Sequence, residues 1–354
     1  MSTSVATGAS VAIHAPRHSR RPLLAAIAGL LLLGVALVAG IVLGNVSLPI
    51  GDTLAILGHR ILGLPAGVWP ASTETIVVEL RLPRVLTAMI VGTGLAVAGT
   101  VFQGLLRNPL ADPYVLGTAS GAALGVAIGV LLPVQVAVLG FGIANALAFC
   151  GALAAVALVY RVSGGGDSRS SILLVGYAVG SVLAAGLAMA MYLSGDNLRR
   201  IVAYLLGSFA DASWSQVSVG LPIIAVGTVL IVARARVLDA FLLGDDAAAH
   251  LGVDVRRERR LLLALAALVT AAAVALAGLI GFVGLVVPHA VRLVVGPSAR
   301  LVLPLSALFG AAFMVLADLI ARIPGELPVG IVTALIGVPV FLLLLRRSQG
   351  AYEL

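Results

Sequence analysis

Two apolar runs, Leu23 to Leu43 and Leu261 to Leu279, are each long enough to cross a bilayer, and several similar runs lie between and beyond them. Backbone amides in hydrocarbon must be satisfied within the protein, so a chain made of such runs folds as a helix bundle or a closed barrel. The alternating ten-residue segments of a barrel are absent. With 61% of residues hydrophobic and only 10% charged, the 354 residues read as one all-α polytopic membrane domain rather than two soluble ones.

The pattern predicts about ten transmembrane helices, near 23–44, 84–106, 114–132, 135–160, 171–193, 214–233, 260–278, 280–295, 300–321 and 328–346. The eighth is short and interrupted by Gly and Pro. With the N-terminus in the cytoplasm, the inner segments hold 16 arginines and the outer segments only 6, namely Arg60, Arg81, Arg84, Arg199, Arg200 and Arg322. That bias is the positive-inside pattern and favours an even helix count. It places both termini in the cytoplasm and the chain in the cytoplasmic (inner) membrane. Residues 1–22 read as a disordered tail before an uncleaved first helix, 23–347 as the transmembrane domain and 348–354 as a second tail. Trp69 and Trp214 fall at the outer boundary, where interfacial aromatics collect.

All 22 basic residues are arginine. Without a lysine the chain cannot form the GxxxxGK[ST] phosphate loop, so any ATPase driving it is another polypeptide. The net charge of +7 follows from topology and does not call for nucleic acid. HExxH and GxSxG are absent, and no span clusters His, Asp and Glu, which argues against a membrane enzyme and predicts no metal site and no catalytic residue. The single Cys150 reads as a small core residue. Gly117, Gly121, Gly125 and Gly129 form a bare stripe that lets a neighbouring helix approach closely. Ala96-Val-Ala-Gly99 and Ala275-Leu-Ala-Gly278, each ten residues before a proline, hint at an internal repeat.

Five phrases stand out beyond hydropathy: Arg81-Leu-Pro-Arg84; Gln103 to Gly117, containing Asn108-Pro109 and Asp112-Pro113; Leu243-Gly244-Asp245-Asp246 to His250-Leu251-Gly252-Val253; Gly281 to Arg292, containing Gly284 and Pro288-His289; and Ala317-Asp318 to Arg322 with Glu326, Pro328 and Gly337-Val-Pro339. In this order they resemble the permease family of ABC importers for ferric siderophores, haem and cobalamin, over residues 23 to 347. The resemblance implies a vitamin B12 importer permease-like bundle that pairs with a second copy of the permease, two ATP-binding-cassette ATPase subunits and an extracytoplasmic substrate-binding protein. ATP and Mg then belong to the ATPase, and this chain binds no cofactor of its own. Membrane lipid is the remaining partner.

The resemblance further assigns Arg81, Arg84 and Arg322 to docking of the binding protein, whose carboxylates suit guanidinium groups. Internal pairing with Glu79 or Glu326 is the competing reading. It makes the segment 241–260, with Leu243, Gly244, Asp245, Asp246, His250, Leu251, Gly252, Val253 and Arg256, the element that engages the ATPase. The pattern there reads as two short helices broken at Gly252. Asn108, Pro109, Asp112, Pro113, Gly117, Gly121, Gly284, Pro288 and His289 read as structural, the prolines enforcing a sharp turn. Asp318 is the one carboxylate well inside a predicted span. A proton relay is its default reading, but Arg322 at i+4 makes a same-face ion pair simpler. An ion-coupled secondary transporter is the alternative function.

Overall fold

The computed structural model describes residues 20–44, 46–65, 67–133, 137–138, 141–164, 169–323 and 325–349. Most of the expected N-terminal tail and the last five residues lie outside these.

The fold is helical, in the order α1 (Arg21–Val42), α2 (Ile50–Leu62), α3 (Ala71–Thr75), a π-helical segment (Ile76–Arg81), α4 (Leu82–Leu106), a 3-10 turn (Pro113–Leu116), α5 (Thr118–Leu131), α6 (Ile143–Val162), α7 (Arg169–Leu193), α8 (Leu198–Leu206), α9 (Trp214–Ala233), α10 (Ala235–Leu243), α11 (Asp245–His250), α12 (Val255–Ala277), α13 (Val283–Val295), α14 (Ala299–Arg322) and α15 (Val329–Gln349). A two-residue antiparallel hairpin, Ala137–Val138 with Phe141–Gly142, precedes α6. Among the described residues, seven helices are long and apolar enough to span a membrane, and α5, α13 and α15 are shorter apolar helices. Together they are the ten expected spans.

α4 is the hub of the bundle. It packs on α14, α12, α9 and α13 and is buried along nearly its whole length. Its approach to α13 is backbone on backbone: a Cβ at Gly99 would strike the Gly284 carbonyl. The glycine stripe does the same between α5 and α6, where Cβ atoms at Gly121 and Gly125 would strike the carbonyls of Gly151 and Leu147. Small residues let such pairs gain dispersion energy along a whole face. α7 shows the opposite character, with only 11% of its apolar window buried, so it lies at the periphery of the single chain.

Three features differ from the sequence pattern. The second span begins at Ala71, not 84, because the π-helical turns carry the helix on through Arg81. Cys150 is exposed on α6, not in the core, because α6 buries only the face carrying Ala148, Ala152, Ala155, Val156 and Val159. The two glycines of the hinted repeat occupy different helical positions. Gly99 sits inside α4, whereas Gly278, at φ 73°, ends α12.

The ends of the bundle segregate as the arginines predict. Arg107, Arg260 and Arg292 make their contacts at one end, here called the arginine-rich end, while Arg81, Arg84 and Arg322 gather at the opposite end. α13 is short because α12 stops at Gly278 and the chain turns through Phe282, at φ 70°, before helix resumes. The non-helical stretch is satisfied by protein: the Tyr114 hydroxyl donates to the Ile280 carbonyl (3.0 Å) and accepts from its N–H (3.2 Å). The Leu279 N–H donates to the Tyr204 carbonyl (3.3 Å). Irregular backbone at membrane depth requires such partners.

Candidate functional site

The segment expected to engage a partner ATPase is built around one carboxylate. α10 ends at Gly244, whose φ of 125° and ψ of 157° only glycine adopts without strain. The break lets α11 start at once with Asp245. Arg107, itself left-handed (φ 48°) at the end of α4, donates from Nε to the Phe241 carbonyl (2.8 Å) and from Nη2 to Asp245 Oδ1 (3.3 Å). Arg259, on the first turns of α12, donates to Asp245 Oδ2 (2.6 Å), and its guanidinium carbon lies 5.6 Å from the Phe241 ring centre. Asp245 therefore ties the short helices to two long spans.

α11 stops where the Gly252 N–H donates to Ala249 O (2.9 Å) and the Val253 N–H to Ala248 O (3.1 Å), with Gly252 at φ 82°. Asp254 then caps α12 by accepting from the Arg257 N–H (3.1 Å). The expected pair of short helices needs correcting. The break at Gly252 is real, but the second helix is the start of the α12 span. The additional short helix, α10, lies before Gly244. Leu243 and Leu251 are 70% and 66% exposed, and Asp246, His250 and Arg256 are exposed beside them. Leu243 and Leu251 thus project from the ends of the two short helices among exposed polar side chains, as a small exposed apolar surface.

At the opposite end the three arginines expected to face outward are turned inward. Arg81, Arg84 and Arg322 are all buried. Arg81 Nη1 donates to the carbonyls of Ile41 (2.7 Å) and Val42 (2.6 Å), and Nη2 donates to that of Val46. Arg322 Nη2 donates to Gly40 O (3.0 Å), and its Nε lies 3.2 Å from Asp318. Arg84 bonds Asp318 through Nε and Nη2 and Glu326 through Nη1 (2.8 Å). The end of α1 leaves carbonyls without helical partners, and Arg81 and Arg322 supply the donors. An open docking patch is thus not how this chain displays these groups. The internal pairing with Glu326 forms, and no Glu79 contact accompanies it among the described residues. The π-helical turns that end at Arg81 had no signature in hydropathy.

The turn expected from Asn108-Pro109 and Asp112-Pro113 is tight. Asn108 Oδ1 accepts from the Leu110 N–H (2.9 Å) and Asp112 Oδ1 from the Tyr114 N–H (2.8 Å). Burial pushes the Asp112 carboxyl up to about 6, opposed by that N–H bond. Pro113 opens the 3-10 turn, Gly117 closes it at φ 75°, and the side chain of Pro113 packs on Gly284. Gln103 joins α4 to α13, donating to the Leu285 carbonyl (3.1 Å) and accepting from Arg292 (3.0 Å). Sequence reasoning missed this bridge, since a glutamine near a span end carries no signal of its own. Pro288 lies inside α13 and His289 follows it. His289 Nδ1 is buried without a hydrogen-bond partner among the described residues. No group of three His, Cys, Asp or Glu side chains gathers there or elsewhere among them.

The model of the FecCD transport family matches residues 12–347. The chain belongs to that family. A relative, the uncharacterized ABC transporter permease protein YvrB of Bacillus subtilis, is 42% identical, covering 93% of this chain and 95% of its own. The cobalamin import system permease protein BtuC of Halobacterium salinarum is also 42% identical, covering 92% and 96%. The hemin transport system permease protein HmuU of Yersinia pestis is 39% identical, covering 80% and 87%. A solved metal-chelate type ABC transporter, in an inward-facing conformation, superposes with a TM-score of 0.80 at 29% identity over 92% of this chain and 99% of that one. As a FecCD member, the chain is the multi-pass permease subunit of an ABC importer, and its family is not itself catalytic.

Proposed function

We propose that this chain carries a metal chelate across the cytoplasmic membrane by alternating access, with the iron chelate of a siderophore the first cargo to test and haem or cobalamin the next. Relatives named for cobalamin, hemin and ferric dicitrate match at similar identity. The arginine-rich end, with both termini, faces the cytoplasm by the positive-inside bias. There two ATPase subunits close on ATP and move α10 and α11. A second copy of the chain completes the path, and an extracytoplasmic binding protein delivers cargo at the opposite end.

The observation that carries the reading is Asp245, held by Arg107 and Arg259 beneath the exposed Leu243 and Leu251. A push on the leucines is passed to α4 and α12 through charge-assisted bonds. Ion-coupled transport has less support, because Asp318 is already paired with Arg84 and Arg322. Proteoliposomes holding the chain with its ATPase should take up chelate only with ATP inside and loaded binding protein outside. Uptake by the chain alone, driven by a pH gradient, overturns the proposal.

Docking at the opposite end is assigned to Arg84 alone. Its partner Glu326 keeps 42% of its side chain exposed, so a carboxylate of the binding protein reaches Arg84 by displacing Glu326. Glu326→Gln should tighten docking, since the competing charge is gone, and Arg84→Gln should weaken it. Unchanged affinity in both variants removes the assignment.

A further inference from the structure

We propose that the cleft between α6 and α12 at the arginine-rich end binds an anionic phospholipid, one acyl chain in the cleft and the phosphate on Arg260. The cleft encloses about 240 Å³ and is lined by Leu116, Leu153, Val156, Tyr160, Leu263 and Ala267 among other apolar side chains, with no carboxylate in its wall among the described residues. Arg260 is its one charged lining residue among those described.

The guanidinium of Arg260 is held in place. Its Nε donates to the Tyr160 hydroxyl (3.0 Å), and its central carbon lies 5.7 Å from the Tyr160 ring centre. Both Nη groups have no partner within the described chain, and the residue is exposed. A planar fork with two free donor groups matches phosphate oxygens bidentately. Arg161, next to Tyr160, and Arg256, one turn before Arg260 on α12, are exposed as well. The nearby carboxylate Glu258 is taken up by Arg234 (2.5 Å).

Geometry selects the ligand class. The walls are faces of transmembrane helices, so a ligand enters sideways from the bilayer. An apolar slot with a cation at its mouth, near the end of the spans, needs a tail and an anionic head in one molecule. A free anion has no use for the slot, and a neutral lipid has no use for the free Nη groups. The site requires only that this end of the bundle sit at headgroup level, and it does not depend on the transport reading.

Native mass spectrometry of the purified chain, titrated with phosphatidylglycerol and with phosphatidylcholine of the same acyl chains, tests the site. Phosphatidylglycerol should be retained roughly tenfold better, as one charge-assisted contact pair warrants. Arg260→Gln should erase the preference, and Ala264→Phe, which fills the slot from an exposed wall position, should lower retention of both lipids. Inorganic phosphate should not displace the bound lipid. Equal retention of the two lipids by the unaltered chain, a preference untouched by Arg260→Gln, or displacement by inorganic phosphate overturns the proposal. If Ala264→Phe does not fold, Arg260→Gln on the exposed rim decides alone.

Discussion

Arg84 on α4 reaches across 234 positions of sequence to Asp318 on α14, with three nitrogen–oxygen contacts of 3.0 to 3.1 Å. The pair is buried, and Arg322 and Glu326 extend it into a chain of alternating charge. In a low-dielectric site, removing one member leaves a charge that neither water nor a partner satisfies. Asp318→Asn should therefore destabilise the chain by about 3–5 kcal/mol. Thermal unfolding in detergent measures the loss. A cycle with Arg84→Gln should show the two changes to be less than additive. Full additivity would mean that the contact contributes nothing.

Asp245 offers a different test, because its neutralisation leaves the outer leucines in place. Asp245→Asn should keep the ATPase bound while loosening the tie to Arg107 and Arg259. Residues along a coupling route change coupling by about 0.5–2 kcal/mol, so uptake per ATP hydrolysed should fall about tenfold. Uptake and hydrolysis by the reconstituted complex give the ratio directly. A fall in both together, with less ATPase bound, would place Asp245 in the contact surface itself.

The same two clusters separate what a sequence discloses from what it hides. The spans were legible because each is an apolar run, and for seven of them the length alone suffices to cross a bilayer, independent of neighbours. The Gly121 and Gly125 stripe was legible because its period is that of the helix. Arg81, Arg84 and Arg322 stand out in the sequence, but it leaves outward docking and internal pairing with Glu326 both open. An arginine at a helix end reads identically whether its guanidinium faces out or folds onto a carboxylate 234 residues away. α10 was missed for a related reason. Its nine residues lie between a span and a charged turn, and the Gly244 break that defines it depends on a backbone angle that no side-chain pattern records.

The α5–α6 contact predicts a steep response to added volume. A side chain at Gly125 meets the Leu147 carbonyl and the backbone of Ala148, neither of which can move without shifting α6. Overpacking ordinarily costs about 1–3 kcal/mol when side chains can adjust. Here the obstacle is backbone, so Gly125→Leu should exceed that range and prevent accumulation of folded protein. Gly34→Leu, where nothing lies within 4 Å of the Cβ site, is the control that should fold normally. Fluorescence-detected size exclusion of the two variants compares them, and equal yields would show that α5 and α6 separate readily.

Asp112 predicts a pH dependence of stability whose sign runs opposite to that of an ordinary paired carboxylate. Burial holds its folded-state value at about 6, above the ordinary 3.8. Between those two values the folded chain keeps a proton that the unfolded chain has already released. Stability contributed by this group is therefore greatest at low pH, falls as pH rises through that window, and is lost above about 6. The Tyr114 N–H still needs an acceptor, and an amide oxygen at the same position provides one. Asp112→Asn should thus keep the turn, abolish this slope and melt higher than the unaltered chain at neutral pH. Melting curves of both proteins between about pH 4 and 7 show it as two lines that converge on the acid side. Parallel lines across that range would mean that water reaches the carboxylate and its value stays ordinary.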